Sequence, residues 1–271
     1  MCWTLLLSAA TSGPVFAQAS LLRIQDRTYK LREAGDLDMP YSLYVPKSYY
    51  ASGKWPLIVA LHGTGGDGRS LMRYQGLTDF AESYGYIVVT PLGYSRNSSY
   101  GIPERGQGRQ PGEPGFENEA KLTLGFRELA ELDVMTVLAM VRKEFNVDED
   151  RIYLMGHSMG AAGVYYLAEK YPEIWAGLAA ISGGPPGGWG GTAPSAGARI
   201  QHLPILVMQG DMDTTVPVAR TRAAVAQLRK LGMQHVYLEI PGGDHSLFIA
   251  RHPRNLQKVF FFFNIVSKSG A

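Results

Sequence analysis

One cysteine, Cys2, is all that the 271 residues contain. With the N-terminal stretch removed on export the rest of the chain would hold no thiol, which excludes a disulfide framework and a cysteine-based metal site. No later apolar run approaches the ~20 residues of a membrane span. The nearest, Val259 to Phe263 continued by Ile265-Val266, is broken by Asn264 and reads as a C-terminal helix laid against a core. Blocks of one charge are missing as well. The chain has 26 Lys and Arg against 24 Asp and Glu, a net charge of +2, so no basic stripe marks a nucleic-acid partner. No charged residue precedes Arg23. Before it come the apolar Cys2-Trp3-Thr4-Leu5-Leu6-Leu7 and a run of small residues, in which Val15-Phe16-Ala17 or Ala17-Gln18-Ala19 suits a small-x-small cleavage site. Residues 1–19 are therefore expected to be a signal peptide without the usual basic leader, and residues 20–271 one domain, secreted or periplasmic.

Hydrophobic residues make up 45% of the chain, and a chain of this length buries about three quarters of its unfolded surface in one large core. Arg23 to Arg32 and Met39 to Val45 alternate apolar with polar residues and are joined by Glu33-Ala34-Gly35-Asp36, the pattern of an antiparallel pair at a sheet edge. From Pro56 onward, continuous apolar runs alternate with helical periods. The runs are Pro56 to Leu61, Tyr86 to Pro91, Arg151 to Met155, Leu178 to Ser182, Ile205 to Gln209 and His235 to Ile240. The helices are expected over Ser70 to Tyr84, within Ala120 to Phe145, over Ala161 to Tyr171 and over Pro217 to Leu231. Buried strands alternating with helices mean right-handed crossovers and a mainly parallel, twisted α/β sheet with helices on both faces. Two Gly/Pro-rich loops interrupt this order. Tyr94 to Asn118 has no periodicity and reads as either a functional loop or an insertion. Gly183 to Gly197, which holds Trp189, is too short for a large helical lid.

The chain is organised around Arg151 to Gly163, RIYLMGHSMGAAG. Here Gly156-His157-Ser158-Met159-Gly160 joins a buried strand to a helix through a tight turn, the setting in which G-x-S-x-G lifts a strained serine out of the sheet edge. In a chain with 32 glycines the pentapeptide alone is weak, so its context must carry it. In a parallel sheet active groups gather at the carboxyl ends of the strands. Four candidates lie just past such ends: His62-Gly63-Thr64, Ser158, Asp213 and His245.

A serine is a poor nucleophile alone and needs a base, which in turn needs a carboxylate to fix its tautomer. His245, in Gly242-Gly243-Asp244-His245, is the expected base. His62 heads a backbone-shaping turn, His157 is expected to point away from Ser158, and His202, His235 and His252 lack a strand-end glycine setting. For the acid Asp211 and Asp213 compete. Asp213, farther out on its loop with Thr214 and Thr215 behind it to cap the helix, is the expected partner, and Asp211 a tie for the loop backbone. The oxyanion of an attacked carbonyl would be held by the N–H groups of Met159 and Thr64, the second presented by the His62-Gly63-Thr64-Gly65-Gly66 turn. No group of side chains has metal-ligand spacing, so neither a metal nor another cofactor is expected.

These motifs together, with Ser158, Asp213 and His245 in that order, resemble the α/β-hydrolase superfamily. Within it YSLYVPKSY, PLIVALHGTGGDG, DRIYLMGHSMGAAG and YPEIWAGLAAISG resemble secreted polyhydroxybutyrate depolymerases and feruloyl or acetylxylan esterases. The resemblance implies a serine esterase that cleaves small or polymeric carboxylic esters through an acyl-enzyme, in an open cleft with Trp189 and Tyr94 as candidate aromatic walls. The mature chain departs from many secreted relatives in having no cysteines. A prolyl-oligopeptidase-like peptidase shares the motifs, and a catalytically silent binding module on the same fold is the alternative from another class.

Overall fold

The structure is a computed structural model that describes residues 21–103, 105–185 and 198–268. The expected signal peptide and Trp189 lie outside the described residues.

The apolar runs form an eight-stranded sheet among those residues: β1 (Gln25–Leu31), β2 (Leu37–Tyr44), β3 (Trp55–Leu61), β4 (Ile87–Pro91), β5 (Val147–His157), β6 (Gly177–Ile181), β7 (Ile205–Gly210) and β8 (His235–Ile240). Their order is β1-β2-β4-β3-β5-β6-β7-β8. β1 pairs antiparallel with β2 and β2 with β4, and every pairing from β4 to β8 is parallel. The chain winds from β3 outward to β4, then returns to the other side of β3 for β5. This reversal opens a crevice beyond the carboxyl ends of β3 and β5, where such sheets bind ligands.

The continuous apolar strands are covered on both faces because successive side chains point to opposite sides. Leu57, Val59, Leu61, Ile152, Leu154, Leu178, Ala180, Ile205 and Val207 share one core, and Ile58, Ala60, Tyr153, Met155, Ala179, Ile181, Leu206 and Met208 the other. The helices follow in chain order: α1 (Gly68–Met72), α2 (Leu77–Tyr84), α3 (Phe126–Glu144), α4 (Met159–Lys170), α5 (Val218–Lys230) and α6 (Pro253–Asn264), with single turns at Phe116–Glu119 and Leu247–Ala250. Helices α3, α4 and α5 cover the first core, and α1, α2 and α6 the second. Phe260 and Phe263 of α6 are buried while Phe261 is half exposed, and the Phe263 ring stacks on Tyr153 at 4.5 Å.

The helix expected over Ser70 to Tyr84 is two. Gly76 breaks it with φ of +94°, and a Cβ there would meet Phe80 and Pro253, so the chain turns where α6 begins. Helical spacing predicted the faces of both pieces, but a break imposed by packing against a distant segment leaves no mark on periodicity. The Tyr94 to Asn118 stretch folds back on itself: the Gln107 N–H donates to Asn97 O at 2.8 Å and the Ser95 hydroxyl to Gln107 O at 2.8 Å. Tyr100 is fully buried beneath it, its hydroxyl donating to His62 O at 2.9 Å. Between β6 and β7 the described residues hold only a single 3-10 turn, Ala198–Ile200, and no large lid.

Candidate active site

Ser158 follows β5 and precedes α4 with φ of 58° and ψ of −115°, a conformation that only a constrained turn holds in a non-glycine residue. Its N–H donates to Ile181 O at 2.9 Å. The flanking glycines are steric necessities. A Cβ on Gly156 would meet the Gly160 carbonyl, and one on Gly160 would strike the carbonyls of Leu61 and His62, so strand and helix backbones touch where a side chain would part them. Gly63, from the next strand, comes as close: its Cβ would lie 3.2 Å from that of Ser158.

The structure brings Ser158, His245 and Asp213 together. Ser158 Oγ lies 2.8 Å from His245 Nε2, and His245 Nδ1 lies 2.8 Å from Asp213 Oδ2. With Nδ1–H donating to the carboxylate, Nε2 is left to accept the serine proton. Asp213 is 5% exposed. Burial pushes its carboxyl up, but donors from His245, the Val216 N–H and Gln209 outweigh it and hold the group below the usual carboxylate range. Oδ1 takes the N–H groups of Thr215 and Val216, both at 2.8 Å. Thr215 thus serves the carboxylate through its backbone, and neither threonine caps the helix: Pro217 precedes α5 with no side-chain cap. Asp211 accepts the Gly242 N–H at 2.7 Å and so joins the acid loop to the histidine loop.

Two supports escaped the sequence. Gln209, buried at the end of β7, donates to Asp213 Oδ2 at 2.7 Å and to Val216 O at 3.1 Å, while its carbonyl accepts the Thr221 hydroxyl at 2.8 Å. A lone amide closing an otherwise apolar strand is the one signal that could have found it. His157, expected to point away from Ser158, also supports the base. Its Nε2–H donates to the His245 carbonyl at 2.9 Å, which leaves Nδ1 to accept the Tyr74 hydroxyl at 2.9 Å. The two imidazoles lie 5.2 Å apart. Burial lowers His157 to about 4, so it stands neutral beneath the catalytic loop. Its place beside Ser158 in the chain could not show that the histidine loop folds over it.

Ser158 and Thr64 lie on the floor of two cavities. One, of about 710 Å³, also takes in Met159, Gly183 to Pro185 and the first turns of α5; the other, of about 460 Å³, runs past His245, Tyr74 and His157. Among the described residues the N–H groups of Thr64 and Met159 show no backbone acceptor, and both residues line the larger cavity. Tyr94 is no wall of either. It takes φ of 68°, its ring is fully buried with Leu31, Met39 and Leu129, and the Arg109 guanidinium covers it at 4.8 Å. The Gly93 and Tyr94 N–H groups are drawn inward by the buried carboxylate of Asp133, at 2.6 and 3.3 Å, which turns the ring from the cleft. Among the described residues no three His, Cys, Asp or Glu side chains gather as a metal site, and no helix is long and apolar enough to cross a membrane.

A mostly parallel eight-stranded sheet, covered by helices on both faces and carrying a strained serine between β5 and α4, defines an α/β hydrolase. A ferulic acid esterase of Anaeromyces mucronatus, solved with ferulic acid, superposes with a TM-score of 0.63 at 17% identity, covering 89% of this chain and 88% of that one. The model of the family described as "Putative esterase" matches residues 33–254, and the chain belongs to that family. Feruloyl esterase B of Neurospora crassa is 32% identical over 143 residues, which is 52% of this chain and 42% of that protein. Poly(3-hydroxyalkanoate) depolymerase C of Paucimonas lemoignei is 28% identical over 144 residues, or 52% of this chain and 30% of that protein. The chain thus spans less than half the length of these curated relatives.

Proposed function

We propose that this protein hydrolyses carboxylic esters through an acyl-enzyme formed on Ser158. The observation that carries the reading is the unbroken hydrogen-bonded line Ser158, His245, Asp213. Ser158 Oγ attacks the ester carbonyl as His245 Nε2 takes its proton. Asp213 holds the Nδ1 tautomer and stabilises the imidazolium without itself becoming protonated. The N–H groups of Thr64 and Met159 receive the oxyanion, where one donor contributes ~10²–10³ in rate. The imidazolium then gives its proton to the leaving alcohol oxygen, the alcohol departs, and water activated by the same histidine releases the acid.

Membership in the esterase family and the feruloyl esterase and polyhydroxyalkanoate depolymerase names of its relatives support an ester as substrate. Feruloyl esters and hydroxyalkanoate oligomers are therefore the first classes to test. The uncharged apolar N-terminal stretch supports export. The test compares kcat/KM on methyl ferulate with that on a soluble hydroxybutyrate oligomer, with Ser158→Ala as the blank and a fluorophosphonate to label the serine. Labelling lost in Ser158→Ala together with ester turnover is expected. An unlabelled Ser158 in the native protein would refute the reading and return the chain to a binding module.

A further inference from the structure

The larger cavity is charged on one side of the nucleophile only. Arg105, from the folded-back loop, and Arg220, from the first turn of α5, both line it, and among the described residues no Asp or Glu does. Among the described residues neither guanidinium has an ion pair, although most of the other surface arginines near a carboxylate are taken: Arg96 by Asp67, Arg142 by Glu149, Arg222 by Glu239. Residues 186–197, which follow Pro185 in the chain, carry no charged side chain, and Glu104, which precedes Arg105, is the one acidic residue of the internal stretches outside the described residues. The smaller cavity, beyond His245, is lined by no Arg, Lys, Asp or Glu. Arg105 is held by its own loop: its N–H donates to Ile102 O at 3.3 Å and its carbonyl accepts Arg127 Nε at 3.4 Å.

The direction of proton transfer assigns the two cavities to the two limbs of an ester. His245 Nε2 must reach the leaving oxygen, so the alcohol limb lies on the histidine side, in the smaller cavity. The acyl limb then lies in the larger one, past Met159, between the two arginines. A planar guanidinium matches a carboxylate with two parallel hydrogen bonds, and two that face a single cleft with no ion pair among the described residues mark it for an anion.

We propose that the cleft prefers esters whose acyl limb ends in a carboxylate, the half-esters of dicarboxylic acids, and that Arg105 and Arg220 are the residues that select them. This rests on the esterase reading of Ser158, His245 and Asp213. It goes beyond the feruloyl and hydroxybutyrate classes, whose acyl limbs end in a phenol and an alcohol, both neutral at pH 7.

The test uses two substrate pairs. The first is mono(4-nitrophenyl) adipate against 4-nitrophenyl adipamate, which carries a neutral amide in place of the carboxylate. The second puts the charge on the leaving group: 4-carboxyphenyl against 4-carbamoylphenyl hexanoate. At low salt the adipate should exceed the adipamate in kcat/KM by about tenfold, an advantage that shrinks as ionic strength screens these exposed arginines. Arg220→Gln and Arg105→Gln should each cut that ratio about threefold, and the double variant should bring it near one. The hexanoate pair should show no such advantage. An adipate ratio of one in the native protein, or an equal advantage for the charged leaving group, would overturn the proposal while leaving the esterase intact. Calorimetry of monomethyl adipate against Ser158→Ala reads recognition apart from turnover: binding weakened by Arg220→Gln is expected, and no binding would overturn the proposal. Failure of every ester, with no fluorophosphonate label on Ser158, would instead overturn the underlying esterase reading.

Discussion

Gly160→Ala isolates the close approach on which the whole site depends. A Cβ there would lie 2.6 Å from the Leu61 carbonyl carbon and 2.9 Å from His62 O, with the Leu61 oxygen nearer still. These are backbone atoms at the end of β3, so no side chain can swing aside. To restore an ordinary contact of 3.4 Å to the nearest of these atoms, α4 and β3 must part by about 1.2 Å. Overpacking of this kind costs about 3 kcal/mol. For 271 residues the unfolding entropy is about 0.57 kcal/mol/K, so Tm should fall by about 5 °C. The same movement carries Ser158 and Met159 on α4 away from Thr64 on the β3 turn, and a displacement near 1 Å costs about 10² in rate. Gly65→Ala is the control. It has φ of +75° but nothing within 4 Å of the added carbon, so it should cost about 1 kcal/mol and bring no backbone shift. Thermal denaturation and kcat/KM on a 4-nitrophenyl ester read both variants. If Gly160→Ala melted and turned over like Gly65→Ala, the steric account of the elbow would be wrong.

Asp213→Asn should lower kcat by ~10⁴, because the amide favours the wrong histidine tautomer. Asp211→Asn should cost far less, as among the described residues its side chain takes the Gly242 N–H and not His245; steady-state rates showing the reverse order would refute the assignment of the acid. His157, lowered from 6.5 to about 4 by burial, binds a proton in the unfolded chain before it does in the folded one. Its contribution to stability is therefore complete above pH 6.5 and declines by about 3 kcal/mol as the pH falls to 4. Urea midpoints should drop across that window less steeply in His157→Gln than in the native protein, and equal slopes would count against it. Phe263→Ala, which removes the buried ring stacked on Tyr153, should destabilise by about 3–5 kcal/mol, while Phe261→Ala on the half-exposed side should cost under about 1 kcal/mol; calorimetric melting distinguishes them.

Local chemistry was enough for much of this molecule. Alternation and apolar runs set which residues form strands, glycine and proline set where they stop, and the parallel order followed from strands and helices taking turns. The G-x-S-x-G turn announced itself because its glycines obey a local steric demand. Asp213 and His245 could be singled out because each follows a strand end, and every strand end of a parallel sheet faces the same way. Tertiary structure decided what depends on two distant segments meeting. Gly76 splits a helix because α6 abuts it. Tyr94 is buried because the Asp133 carboxylate, 39 residues away, draws in its backbone. His157 supports His245 only because the histidine loop closes over it, and Arg105 and Arg220 share one cleft although 115 positions separate them. Periodicity is a property of neighbours along the chain; a charge pair, a lid of backbone or a cavity wall is set by the strand order that brings remote neighbours into contact.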